Sequence, residues 1–574
     1  MPRSIYKRRL GPGSHRFPHL GTLAVSLIGL LPVENACYAW SYDPPQGIPI
    51  ATGLSTTPTF SITADGVGGV FAAWRRQDTS SGTLFVQHVI ASGTRDPLWP
   101  VAGRILSITC EHRPKVVSDG RGGAIVVATA VYAGRIHVLA WHVLSSGEID
   151  PNWPSTGMPI CLSLYRQWDV FAVTDGAGGV LAGWNDFRGS TDNDIYSAHL
   201  DSSGIVTPGS PYSGFPISTA VRHQTLTDLV AYQGGAYAAI HDGRSSYFDG
   251  DVYVHHILPD GSADPSWPTN GLAVSTLPGN ISPPMITAGT NGAFVQWVDD
   301  SDGQVRVNHT LSSGTLDPMW PINGILVSPS SLGQYACSIA SDGMGGVVSL
   351  LLDGDQVRVC RTNSNGLPSA GWPAGGVSVG TLVQGLGAPA GVGDSQGGMI
   401  VVWPCPTPDP NVCSQHVLDA GYIDPTWPNG GRMVTLEPGN EANVAATDDS
   451  YGGAIVAWTL PNGLYAAKVP RSGSLDVPPS TDDIATLAIH PNPARQSITL
   501  RCFFPTSDIM TISLHDTQGR LIHLVAHGPV LKGVRSFSFD AHTISGGHAL
   551  PHGLYFLRLR TSREEANAKL IIAD

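Results

Sequence analysis

Six histidines, one arginine and one lysine recur at equivalent places along the chain: His88, His142, His199, His256, His309, His416, Arg361 and Lys468. In full form the signature runs His, four residues, Gly, two residues, then Asp-Pro-x-Trp-Pro, as in His88, Gly93, Asp96-Pro97 and Trp99-Pro100. A ring of imidazoles could bind a metal or an anion. One such residue per repeat, however, puts neighbours on different sheets, farther apart than the ~2 Å ligand bonds of a zinc site allow. Charged Arg361 and Lys468 are not ligands either. The spacing favours a structural hydrogen bond, or a ring packed on the neighbouring Pro-Trp. Trp99, Trp153, Trp267, Trp320, Trp372 and Trp427 form the companion series. They could make a sugar platform, but an indole at one site of successive repeats reads as a wedge between them. Asp before Pro is held extended and so fixes the turn that presents the Trp.

Carboxylates supply the other candidates. Asn185-Asp186-Phe187-Arg188 and His241-Asp242-Gly243-Arg244 place Asp186, Arg188, Asp242 and Arg244 on loops after strands. These could touch a ligand or pair with each other. Asp192 with Asp194, and Asp249 with Asp251, offer paired oxygens of the kind calcium takes, as do Asp299 with Asp302 and Asp353 with Asp355. No complete EF-hand-like loop accompanies them, and solvated hairpin tips are the competing reading. The catalytic signatures Gly-x-Ser-x-Gly and His-Glu-x-x-His are missing. Glu111, Glu148, Glu437 and Glu441 are the only glutamates between residues 40 and 470. A glycosidase needs two carboxylates ~5–10 Å apart, and no spacing singles out such a pair.

The elements that position these groups form a repeat. A strand, Asp-Gly-x-Gly-Gly and an apolar strand recur at Asp65-Gly66-Val67-Gly68-Gly69, Asp119-Gly120-Arg121-Gly122-Gly123, Asp175-Gly176-Ala177-Gly178-Gly179 and Asp342-Gly343-Met344-Gly345-Gly346. Looser copies end at Gly235, Gly292, Gly398 and Gly453; steps between the last glycines are 54, 56, 56, 57, 54, 52 and 55 residues. The turn reads as a hairpin in which Asp and Gly supply positive φ. A phosphate loop is excluded, because no Gly-Lys-Ser/Thr follows and a strand continues where a helix should start. Four strands per ~55 residues, with no helical periodicity, predict an all-β fold: an eight-bladed β-propeller over residues 40–470. A linear β-solenoid is the alternative. The eighth repeat lacks its last strand while residues 47–50 enter as an orphan one, so this segment should close the ring. Repeats 3 and 4 depart most from the pattern, at residues 186–194 and 242–251, which is where a site is expected.

Residues 1–39 read as a signal peptide. Lys7, Arg8, Arg9 and Arg16 precede an apolar run over residues 20–33, too short to span a bilayer, and cleavage is expected after Ala39. No later transmembrane segment is expected. Gly 68 and Pro 45 in 574 residues suit a turn-rich chain, and net charge −13 makes nucleic acid and anionic lipid poor partners. Removing the leader makes the charge more negative, since it carries five basic residues and one acid. The seven cysteines left are too few and too scattered for a disulfide scaffold. Cys405 and Cys413 flank a Pro-rich turn and could bridge it, or could be small buried side chains.

A polar linker is expected over residues 471–484, and residues 485–574 then read as a further all-β module. His490-Pro491-Asn492-Pro493-Ala494, His515-Asp516-Thr517-Gln518-Gly519-Arg520, Leu550-Pro551-His552-Gly553-Leu554-Tyr555 and Ala568-Lys569-Leu570-Ile571-Ile572 carry a resemblance. They resemble, in order, the C-terminal sorting domain of type IX secretion cargo and the related hook-capping Ig-like domains. His490 stands where that family usually has Tyr. The resemblance implies a small seven-stranded Ig-like β-sandwich recognised by the secretion machinery, and delivery to the medium or the outer-membrane surface of a Gram-negative bacterium. The repeats also resemble those of uncharacterised propeller cargo proteins, which implies no activity. The expectation is a non-enzymatic binding protein for an extracellular glycan, protein or surface polymer; a hydrolase or lyase with its site on one propeller face is the alternative.

Overall fold

The computed structural model describes residues 40–42, 45–54, 56–77, 82–188, 192–207, 213–246, 249–407, 410–428, 430–435, 439, 441–471, 487–490, 497–504, 508–530, 533–540, 550–561 and 565–572. The expected leader and residues 472–484 of the expected linker lie outside the described residues. All regular structure among the described residues is β, and no helix there is long and apolar enough to cross a membrane.

Each repeat folds into strands that neighbour one another in chain order. In repeat 3, Gln167–Thr174, Val180–Asp186, Asp194–Leu200 and Phe215–Ser218 form one four-stranded antiparallel sheet, and repeats 4 to 7 follow the same plan. Repeats 1 and 2 differ in being joined. Arg104–Cys110 of the first reaches Ala124–Tyr132 of the second through the single pair Cys110↔Ala130, giving one eight-stranded sheet. Repeat 8 contributes Ala442–Asp448, Ala454–Leu460 and Gly463–Val469, and its fourth strand is Ile48–Thr52 from the start of the chain, with Ile48 opposite Ala466.

The first strand of each repeat lies against that of the next, and Ala442–Asp448 of repeat 8 lies against Thr59–Ala64 of repeat 1. Separate apolar clusters fill the space between successive sheets; Phe71, Val86, Val126 and Trp141, for example, join repeats 1 and 2. Another joins the two ends of the series, uniting Trp40, Ile48 and Ile50 with Trp74 of repeat 1 and Ile455 of repeat 8. The second strands are buried throughout because both faces pack on neighbouring sheets, which explains near-continuous runs such as Val347–Asp353.

The Asp-Gly-x-Gly-Gly turn works differently from the sequence expectation. The glycines alone take positive φ, Gly66 at 82° and Gly68 at 90°, and Asp65 does not. Asp65 instead accepts the main-chain N–H groups of Val67 (2.7 Å) and Gly69 (2.9 Å) through Oδ1, an Asx turn. The last glycine is needed for space, since a Cβ on Gly69 would lie 2.4 Å from both Asp65 Oδ2 and the Val89 carbonyl. Asp394 and Asp449 make the same two bonds in repeats 7 and 8. Ser395 (φ 61°) and Ser450 (φ 67°) there adopt the strained left-handed conformation that glycine takes elsewhere.

The tryptophans of the second signature are buried, Trp99 and Trp320 each at 4% exposure. Five of the six send the indole N–H into the next repeat: Trp99 donates to Ser145 O (3.2 Å), Trp267 to Ser312 O (3.2 Å), Trp320 to Ser364 O (3.1 Å), Trp372 to Asp419 O (2.8 Å) and Trp427 to Arg471 O (3.2 Å), whereas the Trp153 Nε1 has no partner among the described residues. In these five the acceptor is three residues past the recurring His, Arg or Lys. Repeat 8 shows no Trp of its own at this site, and Trp40 fills the position: its Nε1 donates to Ala91 O (2.9 Å), three residues past His88.

Cys405 and Cys413 are disulfide-bonded, while Cys110, Cys161, Cys337 and Cys360 are free. Residues 487–572 form two further sheets. Leu487–His490, Ser497–Phe504 and Gly533–Asp540 make one; Leu521–Val530, Asp508–His515, Gly553–Arg560 and Glu565–Ile572 make the other. A single core of Ile498 and Leu500 with Ile512, Leu514, Leu557 and Leu570 lies between them.

Candidate functional site

Three of the recurring histidines are held between two carboxylates, while His256 keeps only Asp264 (2.8 Å) among the described residues. His88 Nε2 meets Asp65 Oδ2 at 3.1 Å and Nδ1 meets Asp96 Oδ2 at 2.8 Å. His142 lies in the same way between Asp119 (3.0 Å) and Asp150 (2.9 Å), and His416 between Asp394 (3.1 Å) and Asp424 (3.0 Å). His199 keeps Asp175 (2.9 Å) and replaces the second acid with Thr207 (2.8 Å). Arg361 and Lys468 send their cations to Asp342 and Asp449, the aspartates of the same turn. The group is therefore a tie between the first hairpin turn and the third strand. Burial disfavours the charged ring of His88, but the two carboxylates outweigh it and raise its pKa above the ordinary histidine value. Burial likewise works against the Asp65 carboxylate, and His88 with the Val67 and Gly69 N–H groups outweighs it, lowering its pKa. His309 has Asp317 (2.7 Å) on one side, but the turn Gly289-Thr290-Asn291-Gly292 of its repeat carries no aspartate, and the His309 Nε2 has no partner among the described residues. Burial then wins, and the His309 pKa is lowered.

The candidate residues of repeats 3 and 4 fall in two equivalent constellations. Arg188 grips Asp186 with two parallel bonds, Nε to Oδ1 at 2.9 Å and Nη2 to Oδ2 at 2.7 Å, and lies over the Tyr196 ring at 3.4 Å. Arg244 grips Asp242 (2.9 and 2.6 Å) over Tyr253 at 3.8 Å. Both aspartates are fully buried, and each arginine also donates to a carbonyl, Ser213 O or Asn270 O. In repeats 5 and 6 the aspartate that ends the second strand again meets an arginine, Asp299 with Arg306 and Asp353 with Arg358, both at 3.1 Å. There the third strand supplies the arginine, from the ladder position that Tyr196 occupies in repeat 3: Trp184 faces Tyr196, Trp297 faces Arg306 and Leu351 faces Arg358. The loop arginines thus stand in for a strand arginine that repeats 3 and 4 replaced with tyrosine.

The paired acids are dispersed. Asp194 faces Asp186 across the ladder; burial, then the Asp186 charge, pushes its pKa up to about 6. Asp251 faces Asp242 and accepts from Ser245 Oγ at 2.8 Å; burial raises its pKa too. Asp192 lies 3.7 Å from His223 Nε2, and Asp249 is exposed. Among the described residues, no group of three or more His, Cys, Asp or Glu is placed to hold a metal ion.

One surface constellation carries no sequence signature. Trp168 is exposed, stacks on His112 at 4.9 Å, and has the Arg166 guanidinium 4.7 Å from its ring centre. Asp169, beside it, holds φ 36° at a bulge between Trp168 and Val170. The residues come from the segment linking repeats 1 and 2 and from the start of repeat 3, where Leu164 and Tyr165 are also exposed. Stacking between loops of different repeats leaves no periodic trace in the sequence. A clue was the run Tyr165-Arg166-Gln167-Trp168, aromatic and basic in an acidic chain.

Residues 488–573 match the family model described as the secretion system C-terminal sorting domain. The chain is thus exported by type IX secretion to the cell surface or the extracellular space of a Gram-negative bacterium. No curated protein matches the sequence. Among solved structures, prolyl oligopeptidase B from Galerina marginata is similar at 9% identity and TM-score 0.38, over 79% of this chain and 55% of that one. A puromycin hydrolase is similar at 12% identity and TM-score 0.38, over 81% and 61%. An α-L-arabinanase from Penicillium chrysogenum is similar at 12% identity and TM-score 0.31, over 56% and 99%. The chain spans less than two thirds of the first two.

Proposed function

We propose that this exported chain is a closed eight-bladed β-propeller that binds an extracellular glycan, protein or surface polymer without transforming it. An Ig-like sandwich over residues 485–574 delivers it through the secretion machinery. Most of the repeated polar groups are consumed in holding the repeats together: imidazoles tie turns to strands, five of the recurring indoles tie a repeat to the next, and the Asp186–Arg188 and Asp242–Arg244 pairs are closed on themselves. His223, Ser245 and the Arg188 and Arg244 guanidinium groups lie alongside Asp192, Asp194 and Asp251 and offset their charge without calcium. The Trp168 constellation lies at the surface beside exposed Leu164 and Tyr165, and its exposure is the observation that carries the reading. Exposed aromatics with polar neighbours mark binding surfaces. The test is retention of purified residues 40–574 on a panel of extracellular polysaccharides and surface extracts, with product analysis. Saturable binding, weakened by Trp168→Ala and without product, is expected. Release of new chain ends would replace this reading with a hydrolase or lyase.

A further inference from the structure

Cations without acid partners gather around Trp168. The arginines of repeats 3 to 6 are spent on Asp186, Asp242, Asp299 and Asp353. Arg75, Arg113, Arg135 and Arg166, by contrast, have no carboxylate within ion-pair reach among the described residues. Arg113 donates Nε to Phe60 O, Arg135 donates Nη1 to Leu164 O (3.2 Å), and Arg75 donates Nε to Cys110 O (2.7 Å) and Nη1 to Gln77. Each keeps guanidinium N–H groups for another acceptor. Arg113, Arg135 and Arg166 are exposed.

These groups share one neighbourhood. Arg135 reaches the carbonyl two residues before Arg166, Arg166 covers Trp168, and Trp168 stacks on His112. Burial lowers the His112 pKa, while the opposing charges of Asp169 and Glu111 on one side and Arg166 and Arg75 on the other largely offset each other. Lys115 joins from the adjacent strand, its ammonium 4.6 Å from the Phe171 ring centre. The local balance is positive in a chain of net charge −13.

We propose that this patch binds a polyanionic polysaccharide, its acidic groups taken by the free N–H forks of Arg113, Arg135 and Arg166 and a sugar ring laid against exposed Tyr165, beside the His112–Trp168–Arg166 stack. The proposal rests on the binding reading above and names its ligand class. Planar forks suit carboxylate and sulfate oxygens, and an exposed aromatic ring suits the apolar face of a pyranose. An extended polymer fits the spread of the cations over segments of repeats 1 to 3.

The experiment is affinity electrophoresis and calorimetry of residues 40–574 with polygalacturonate, dextran sulfate and neutral dextran. Both acidic polymers should bind and neutral dextran should not; comparing the two separates carboxylate from sulfate as the preferred group. Arg113→Gln with Arg166→Gln should weaken binding by about tenfold or more with an unchanged melting temperature. Glu111→Gln should strengthen it, an opposite sign that no folding defect produces. Added salt should weaken it. Equal binding of neutral dextran, or indifference to both sets of substitutions, overturns the polyanion proposal and leaves the binding reading standing. Equal retention of single-stranded DNA overturns a polysaccharide as the ligand. Depolymerisation of any of the three polymers overturns the binding reading itself.

Discussion

Replacing Trp40 with Ala tests whether the first residue of the expected mature chain is the missing peg of the last repeat. Trp40 is 7% exposed, packs with Ile48, Ile50 and Trp74, and donates its indole N–H to Ala91 O at 2.9 Å. Trp320, in the middle of the chain, is 4% exposed and donates to Ser364 O at 3.1 Å. Equal environments predict equal costs, about 3–5 kcal/mol for each Trp→Ala. Trp40→Phe, which keeps most packing and loses the donor, should cost about 1 kcal/mol from the hydrogen bond. At roughly 2.1 cal/mol/K per residue, the ~430 residues from 40 to 471 unfolding together would lower Tm by about 3–5 °C for either Ala variant. Scanning calorimetry of wild type, Trp40→Ala, Trp320→Ala and Trp168→Ala decides it, the exposed Trp168 serving as the control with little effect. A Trp40→Ala protein that melts with wild type while Trp320→Ala does not would show that the ends are not locked, and the closed ring would fall with it. Deleting residues 40–52 goes further, stripping Ile48–Thr52 from Gly463–Val469 and baring a sheet edge; faster aggregation by light scattering should follow.

Two histidines should answer pH with opposite signs. His88, with its pKa raised, stabilises fully below the unfolded value of 6.5 and loses that contribution as pH rises through its folded pKa, whereas buried His309, with its pKa lowered, costs stability as pH falls below 6.5. Urea titrations across this range should therefore show His88→Gln losing most stability at the acid end and His309→Gln flattening the acid loss; parallel curves for the two variants would refute the assignment. Gly179→Ala should cost about 1–3 kcal/mol, because a Cβ there lies 2.3 Å from the Leu200 carbonyl, while Gly176→Ala, in open space at φ 75°, should cost only about 1 kcal/mol of backbone strain. Chemical denaturation compares them. Removing residues 485–574 should abolish surface delivery in a host with the secretion machinery and leave polymer binding intact, read by fractionation and by retention of the truncated chain; surface display of both forms would remove the sorting role.

The local chemistry of the turns was readable along the chain. Asp-Gly-x-Gly-Gly announced a tight turn between strands, His-to-Trp-Pro spacing announced a second, and their common period announced stacked four-stranded units. These are short-range facts, set by which residues tolerate positive φ and by alternation along a strand. The sequence also placed the sorting module, because its four motifs lie close together in order. Partnership was a different matter. His88 and Asp65 are 23 residues apart, and only the pairing of first, second and third strands brings imidazole to carboxylate; the turn aspartate read as a φ > 0 residue is an acceptor for that ring. The series of six tryptophans concealed a further member, since Trp40 becomes equivalent to Trp427 only once the chain has closed on itself. The sequence left open whether Asp186 and Arg188 touch a ligand or each other; the fold pairs them, as it pairs Asp299 with Arg306 and Asp353 with Arg358 in repeats 5 and 6. The Trp168 patch belongs mainly to tertiary structure: its cations come from segments of repeats 1 to 3, and their fields add only where folding brings those segments together.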